Sequence, residues 1–237
     1  MNFIGQVTPS FKRLILERTT SVFIEGTMTE SAMQALSRFR DATNFQWYVI
    51  PLLALVFYVH TVETEKCNWN LALAGLAFWG ADWLNEIINS LVLHFTGYAP
   101  IWGEPGPTAY LILVGLNIET MFMFAIAGIV WSKMLHPDRN AKYLGIPNSW
   151  AVALLGSAFC VLVEYFLNSA HALTWDWPWW NRGAPWLIFL FGYLWFFVFA
   201  FWVYDLKPFR SKIQVVGALW TIDLLSLILF AGILKWI

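Results

Sequence analysis

Charge is what this sequence has least of. Lysine, arginine, aspartate and glutamate together make up 12% of the 237 residues, against about 25% in an average soluble domain. The 14 basic and 15 acidic residues nearly cancel, and the net charge is −1. A nucleic-acid-binding protein carries a strongly basic surface, so this composition argues against nucleic acid as a partner.

Cysteine is scarce as well. Cys67 and Cys160 are too few for a disulfide scaffold or a cysteine-rich metal site. The first 45 residues contain no apolar run long enough for a signal peptide, because charges interrupt every short one. We find no glycine-rich phosphate loop, no Gly-x-Ser-x-Gly and no cysteine–histidine nucleophile pair.

Apolar residues, by contrast, make up 59% of the chain and come in long runs. A transmembrane helix needs about 20 mostly apolar residues, and glycine and proline separate the runs that qualify. These segments are 46–62, 70–95, 108–132, 149–171, 185–205 and 213–236. The sequence predicts an all-α, multi-pass bundle of about six spans over residues 46–237, integral to a membrane (the inner membrane in a bacterium).

An amphipathic segment, residues 1–45, precedes the predicted bundle. Thr27 to Glu30 fits a helix capping box, and Met33, Leu36 and Phe39 follow at helical spacing on one face. Such a helix suits the membrane surface, and it equally suits packing against the bundle.

The loops of the two sides differ. Loops 63–69, 133–148 and 206–212 are basic, and the positive-inside rule places them in the cytoplasm. When every basic residue of the N-terminal segment is counted, the two sides carry equal numbers of basic residues and the rule gives no orientation. The opposite loops, 96–107 and 172–182, are rich in tryptophan, which indicates either an aromatic belt at the interface or a lid over a pocket opening on that side.

Polar residues inside the predicted spans are the strongest functional signal. A charge at the bilayer centre costs at least about 2.5 kcal/mol, and such residues usually mark a function. On the second span they lie at i, i+3, i+4 and i+7, which is one helix face. The residues concerned are Asp82, Asn85, Glu86 and Asn89, then Asn117 and Glu119, then Glu164 and Asn168, and finally Asp223.

Depth suggests that these acids meet. At about 1.5 Å per residue, Glu86, Glu119 and Glu164 fall at similar depths from the tryptophan-rich end, and Asp223 falls near the midplane. With no lysine or arginine at that depth, we expect several acids to hold or share a proton, which is what a general acid needs. The alternative is that acids and amides only join helices by hydrogen bonds.

The same acids are candidate metal ligands. Carboxylates with His94 and His171 could hold iron, zinc or manganese, and His60 joins them as a candidate haem ligand. No span carries a His-x-x-x-His or Glu-x-x-His pair. The sequence therefore predicts neither a metal nor another cofactor.

Aromatic residues are abundant, with 16 Trp, 20 Phe and 8 Tyr. Trp83, Tyr193 and Trp195 are deep enough in their spans to line a cavity beside the acids. Aromatic faces stabilise cations, so such a cavity suits the protonation of an alkene or epoxide.

Two families share parts of this pattern over residues 70–230. Glu86 on one span and Glu119-Thr120 on the next resemble the emopamil-binding-protein (sterol isomerase) family, which has a histidine where this chain has Asp82. Trp83, Glu86 and Asp223 are similar to residues of the small integral membrane terpene cyclases. Both families are helical bundles that protonate a lipid inside the membrane, and the resemblance implies that chemistry here.

We therefore predict a membrane enzyme that performs isomerase- or cyclase-type acid/base chemistry on an isoprenoid- or sterol-like lipid. Glu86 would be the general acid and Glu119 or Asp223 its partner. The further candidate residues are catalytic Asp82 and Glu164, and substrate-binding Trp83, Asn85, Asn117, Asn168, Tyr193 and Trp195. A proton-coupled transporter, a metal-dependent oxidoreductase and a non-catalytic membrane-complex subunit stay open as alternatives. So does association into a homo-oligomer or with a membrane partner.

Overall fold

A computed structural model describes residues 28–237, and seven helices lie within that range. The helices are α1 (Glu30–Arg38), α2 (Val49–Glu65), α3 (Trp69–Thr96), α4 (Ile118–Lys133), α5 (Asn148–Ser169), α6 (Pro185–Asp205) and α7 (Phe209–Ile233). Two short antiparallel hairpins join them: β1 (Leu111–Leu113) with β2 (Leu116–Asn117), and β3 (Lys142–Tyr143) with β4 (Ile146–Pro147).

Three of these helices are long and apolar enough to cross a membrane: α5, α6 and α7. Each of the six predicted segments does carry a helix, so the helical part of the prediction holds at this coarser level. The start of the third segment was wrong, because residues 108–117 form a loop and the first hairpin. The chain becomes helical only at Ile118, where Asn117 Oδ1 accepts the Thr120 N–H at 2.7 Å and caps α4.

Helix α3 is the central helix and packs against α4, α6 and α7. Small residues let its backbone approach α4 closely. A Cβ atom added at Gly75 would lie 2.6 Å from Ile129 Cδ1, and one added at Gly128 would lie 2.7 Å from the Gly75 carbonyl oxygen. This close crossing holds the polar face of α3 at a fixed distance from α4.

Helix α1 packs against the bundle at the tryptophan-rich end. Its N-cap is Thr29, whose hydroxyl oxygen accepts the Ala32 N–H, whereas the cap predicted at Thr27 lies outside the described residues. Ala32 and Ala35 are buried against Leu93 and neighbouring loop residues. Of the two interpretations drawn from the sequence, the structure shows the packed helix.

Candidate functional site

Helices α3, α4, α5 and α6 surround a cavity of about 100 Å³, which is smaller than the usual range of small-molecule sites. Four carboxyl groups line it: Asp82 and Glu86 on α3, Glu164 on α5, and Glu104 in the connection between α3 and β1. No lysine, arginine or histidine of residues 28–237 is among the lining residues. In the part of the chain that the structure describes, the acids therefore face one another without a cation in the cavity.

Glu86 is held by one oxygen only. Its Oε1 accepts a hydrogen bond of 2.8 Å from the Trp102 indole Nε1, while its buried Oε2 has no partner among the described residues. Asn89, one turn further along α3, fixes that tryptophan by donating to the Trp102 carbonyl at 2.7 Å and accepting the Ile101 N–H at 2.7 Å. The polar face of α3 thus positions both the acid and its indole donor.

Glu164 repeats this arrangement across the cavity. Its Oε1 accepts a hydrogen bond of 2.7 Å from the Tyr193 hydroxyl, and its Oε2 has no partner in the part of the chain that the structure describes. Tyr193 lies in a π-helical stretch of α6, Ile188–Leu194. Such stretches recur at functional sites because they rotate side chains out of the regular helical register.

Asp82 lies one turn before Glu86 and is 2% exposed. Its Oδ2 has no hydrogen-bond partner within residues 28–237, and it interacts electrostatically with Glu104 and Asp223. Asp82 therefore links the cavity to the interface between α3 and α7.

Glu104 is a site residue that the sequence reasoning missed. Both of its oxygens are occupied, since Oε1 accepts from the Thr120 hydroxyl at 3.0 Å and Oε2 accepts the Asn117 N–H at 2.7 Å. Burial raises the pKa of Glu104 to about 8, although these hydrogen bonds act in the lowering direction. One signal was present, because Glu104 is the single charged residue of loop 96–107.

The cavity wall is aromatic. Phe78 and Phe124 stack with ring centroids 5.8 Å apart, and Phe124 stacks in turn on Tyr193 at 6.3 Å. Trp102 and Trp180 cover the end of the cavity nearest the tryptophan-rich loops, 5.9 Å apart. These faces surround the acids with electron-rich apolar surface.

Trp83 and Trp195, which were predicted to line the cavity, lie outside it. Trp83 packs against Ile87 and Leu116 on another side of α3. Trp195 contacts Phe196 edge to face, with ring centroids 4.6 Å apart, from behind the wall. Position along a span did not determine the direction in which either side chain points.

Glu119 does not join the other acids, so its expected convergence was wrong. Its carboxylate accepts from the Tyr48 hydroxyl, from the Thr108 hydroxyl at 2.5 Å and from the Ala109 N–H at 2.9 Å. Because α4 begins at Ile118, Glu119 lies in the first helical turn rather than at mid-span. There it ties α4 to α2 and to the preceding loop.

The remaining predicted residues divide between the cavity and its supports. Asn85 lines the cavity. Asn117 caps α4 and donates its N–H to Glu104. Asn168 donates to the Leu173 carbonyl at 3.0 Å and accepts from Arg182 at 2.8 Å, so it supports the loop after α5.

Asp223 is buried on α7 and does not line the cavity. Neither of its carboxyl oxygens has a hydrogen-bond partner in the described range. It faces α3 from behind, which corrects the expectation that it converges with Glu86 in one pocket.

Within residues 28–237, no group of three or more His, Cys, Asp and Glu side chains could hold a metal ion. His94 stacks on Trp236 with ring centroids 4.8 Å apart, and His60 Nε2 lies 3.0 Å from the Ala125 carbonyl oxygen. Both histidines thus have structural contacts, and neither lines the cavity.

Residues 29–232 match a family described as an uncharacterized membrane protein family. The chain belongs to this family. It is similar to an "Uncharacterized protein" of Archaeoglobus fulgidus, 51% identical over 209 residues, which are 88% of this chain and 99% of the relative. A second "Uncharacterized protein" of the same organism is 47% identical over 53 residues, 22% of this chain and 95% of that relative. No solved structure matches the chain.

Family membership and the three apolar helices together make this an integral membrane protein. The membrane explains the outward-facing surface of these helices. Leu155 and Phe166 on α5 and Leu225 on α7 are each more than half exposed, which in a bilayer places them against lipid.

Proposed function

We propose that this protein is an integral membrane enzyme, with helices α2–α7 crossing the bilayer, that performs isomerase- or cyclase-type acid/base chemistry on an isoprenoid- or sterol-like lipid. One observation carries the proposal. Asp82, Glu86 and Glu164 line an aromatic cavity, each has a carboxyl oxygen without a hydrogen-bond partner within residues 28–237, and no cationic side chain of that range lines the cavity.

The lack of a cation sets the protonation state of the site. An ionised carboxylate buried without a cation or a full set of hydrogen bonds is costly. Three carboxyl groups around one apolar space therefore share protons rather than ionise together. A neutral carboxyl group in such a site is a general acid.

Glu86 is the acid in this proposal. The Trp102 indole occupies Oε1, so the proton resides on Oε2, the oxygen without a partner in the described range. Transfer of that proton to a carbon–carbon double bond forms a C–H bond and leaves a carbocation on the substrate. The rings of Phe78, Phe124 and Phe196 stabilise that charge and exclude water, which would otherwise trap it.

Glu164 replaces Glu119 and Asp223 as the partner of Glu86. Its Oε1 is held by the Tyr193 hydroxyl, and its Oε2 is free to remove a proton from the adjacent carbon. The electrons of that C–H bond then form the new double bond. The proton gained by Glu164 returns to Glu86 through the shared set, which includes Asp82, so no cofactor is consumed.

Deuterium exchange tests the proposal for every lipid that accompanies the protein. Protein purified gently with its bound lipids, with added total lipid of Archaeoglobus fulgidus, is incubated in D₂O and the lipids are surveyed by mass spectrometry. Carbon protonation should place deuterium in one lipid class. Glu86→Gln should abolish this label, whereas Glu119→Gln, a matched change outside the cavity, should keep it.

Two outcomes would count against the proposal. A survey without any labelled lipid in the native protein would refute the acid/base function. Equal labelling by native protein and folded Glu86→Gln would refute the assigned acid.

A further inference from the structure

Two loops, 96–107 and 172–182, close one end of the cavity and are joined to each other by hydrogen bonds. Gly103 donates its N–H to the Thr174 carbonyl at 3.1 Å, and Thr174 returns a hydrogen bond to Gly103 at 2.8 Å. The Trp177 indole donates to the Pro100 carbonyl at 2.9 Å. Trp102 and Trp180 lie beneath this layer and line the cavity. The two loops thus form a continuous roof.

Helix α1 adds a second layer over the roof. The Thr29 N–H donates to the Tyr98 carbonyl at 3.0 Å, and its hydroxyl donates to Asp176 at 2.7 Å. Arg38 donates from Nη1 to the Pro105 carbonyl at 2.6 Å. The same helix therefore holds both loops, and the loop end is a poor route into the cavity.

The side of the cavity is different. Helices α4 and α5 follow each other in the chain but make few direct contacts, since α4 packs on α2 and α3 while α5 packs on α6. Two of the lining residues stand at this gap with large exposed fractions, Met123 on α4 at 46% and Phe159 on α5 at 53%. Ala127 and Val163 lie deeper between them. These four side chains are all apolar.

We infer that the gap between α4 and α5 is a lateral portal, through which the hydrocarbon chain of a membrane lipid enters the cavity directly from the bilayer. The apolar mouth matches a hydrocarbon chain, and the carboxyl groups that line the cavity match its reactive or polar end. The ring contact between Trp131 and Phe159, at 5.8 Å, marks the end of the gap nearest the basic loops. The chemistry that follows entry rests on the proposed function, but entry itself does not.

The test is photolabelling in proteoliposomes that contain a phospholipid with a diazirine near the end of one acyl chain. After illumination, adducts are mapped by peptide mass spectrometry. We expect adducts inside the cavity, on peptides that contain Glu86, Glu164 and the buried Phe196, as well as on outer faces. Ala127→Trp should lower the inner adducts several-fold. Ala54→Trp, the same change on the exposed face of α2, should leave them unchanged.

A folding defect would be detected by gel filtration and thermal unfolding, and Val163→Phe then takes the place of Ala127→Trp. Inner adducts that persist in the folded blocking variants would overturn the portal. So would their absence in native protein whose outer faces are labelled. Labelling needs no turnover, so inner adducts without deuterium exchange would refute only the proposed function. Deuterium exchange without inner adducts would refute only the portal.

Discussion

The Trp102 indole donates to Glu86 Oε1 at 2.8 Å, and Oε2 is left as the oxygen without a partner among the described residues. The donor lies in a loop and the acceptor on α3. This hydrogen bond therefore forms only if the loop keeps its position against the helix. Asn89 maintains that position through hydrogen bonds to the backbone of Ile101 and Trp102.

Trp102→Phe removes the indole donor while keeping an aromatic ring. A single hydrogen bond to a carboxyl group is worth about 1.5 kcal/mol, and a loss of that size slows a reaction about tenfold. We therefore expect deuterium incorporation about tenfold slower than in native protein. Trp179→Phe, in the neighbouring loop at an exposed position, is the control and should leave the rate unchanged. An unaltered rate in Trp102→Phe would show that the indole does not orient the acid.

Glu104 makes stability depend on pH in a specific window. Burial raises its pKa from 4.5 to about 8, so the folded protein binds this proton more tightly than the unfolded chain. The stabilisation is complete below about pH 4.5 and is lost as the pH rises toward 8. In Glu104→Gln the group no longer titrates, so Tm should fall less over that window.

The measurement is Tm in detergent across pH 4.5–8 for native protein, Glu104→Gln and Glu65→Gln, a glutamate at the exposed end of α2. Native protein and Glu65→Gln should follow the same curve. Parallel curves for native protein and Glu104→Gln would contradict the burial of an ionisable Glu104.

The polar face of α3 could be predicted from sequence because a helix fixes the spacing of its own residues. Asp82, Asn85, Glu86 and Asn89 lie on one face wherever the helix goes, and three of the four line the cavity while Asn89 supports it. No neighbour needs to be known for that inference.

The predictions that were wrong concern side-chain positions that depend on neighbouring segments, which the sequence of a single span does not reveal. Glu119 was placed at mid-span because residues 108–117 are apolar enough to extend a helix, whereas they form a hairpin that moves it to the helix end. Asp223 lies on α7 outside the cavity, since position along a helix axis says nothing about rotation around that axis. Glu104 was missed because only polar residues inside the predicted spans were considered as candidates, and Glu104 lies in loop 96–107.

Lys133 and Glu63 form a salt bridge between α4 and α2 at the basic-loop end, and Asn68 also donates to Glu63 at 2.8 Å. The glutamate is 1% exposed and the lysine 46% exposed. Lys133→Met leaves a buried carboxylate without its cation, which in a fully buried pair costs about 3–5 kcal/mol. Solvent screening of the exposed ammonium reduces this, so we expect a loss of about 2 kcal/mol.

The double variant Lys133→Met with Glu63→Gln should recover part of that loss, as measured by thermal unfolding. Glu63 lies just beyond the predicted span 46–62. The hydrogen bond from Lys133 has the largest effect on the pKa of Glu63 and lowers it, although burial acts in the opposite direction. Its stabilisation is therefore present at neutral pH and is lost as the pH falls below 4.5. A double variant no more stable than Lys133→Met alone would show that the two charges are not coupled.

Variants of Asp223 and Asp82 test which of the two buried acids takes part in the proposed proton transfer. The two carboxyl oxygens of Asp223 are buried without partners in the described part of the chain, and such a group destabilises a fold by about 1–3 kcal/mol. Asp223→Leu removes this cost at similar volume, so we expect a higher Tm and unchanged deuterium incorporation. Asp82→Asn, on the cavity side of the same helix pair, should instead slow incorporation. If Asp223→Leu folds but loses incorporation, then Asp223, rather than Glu164, is the partner of Glu86 in the proton transfer.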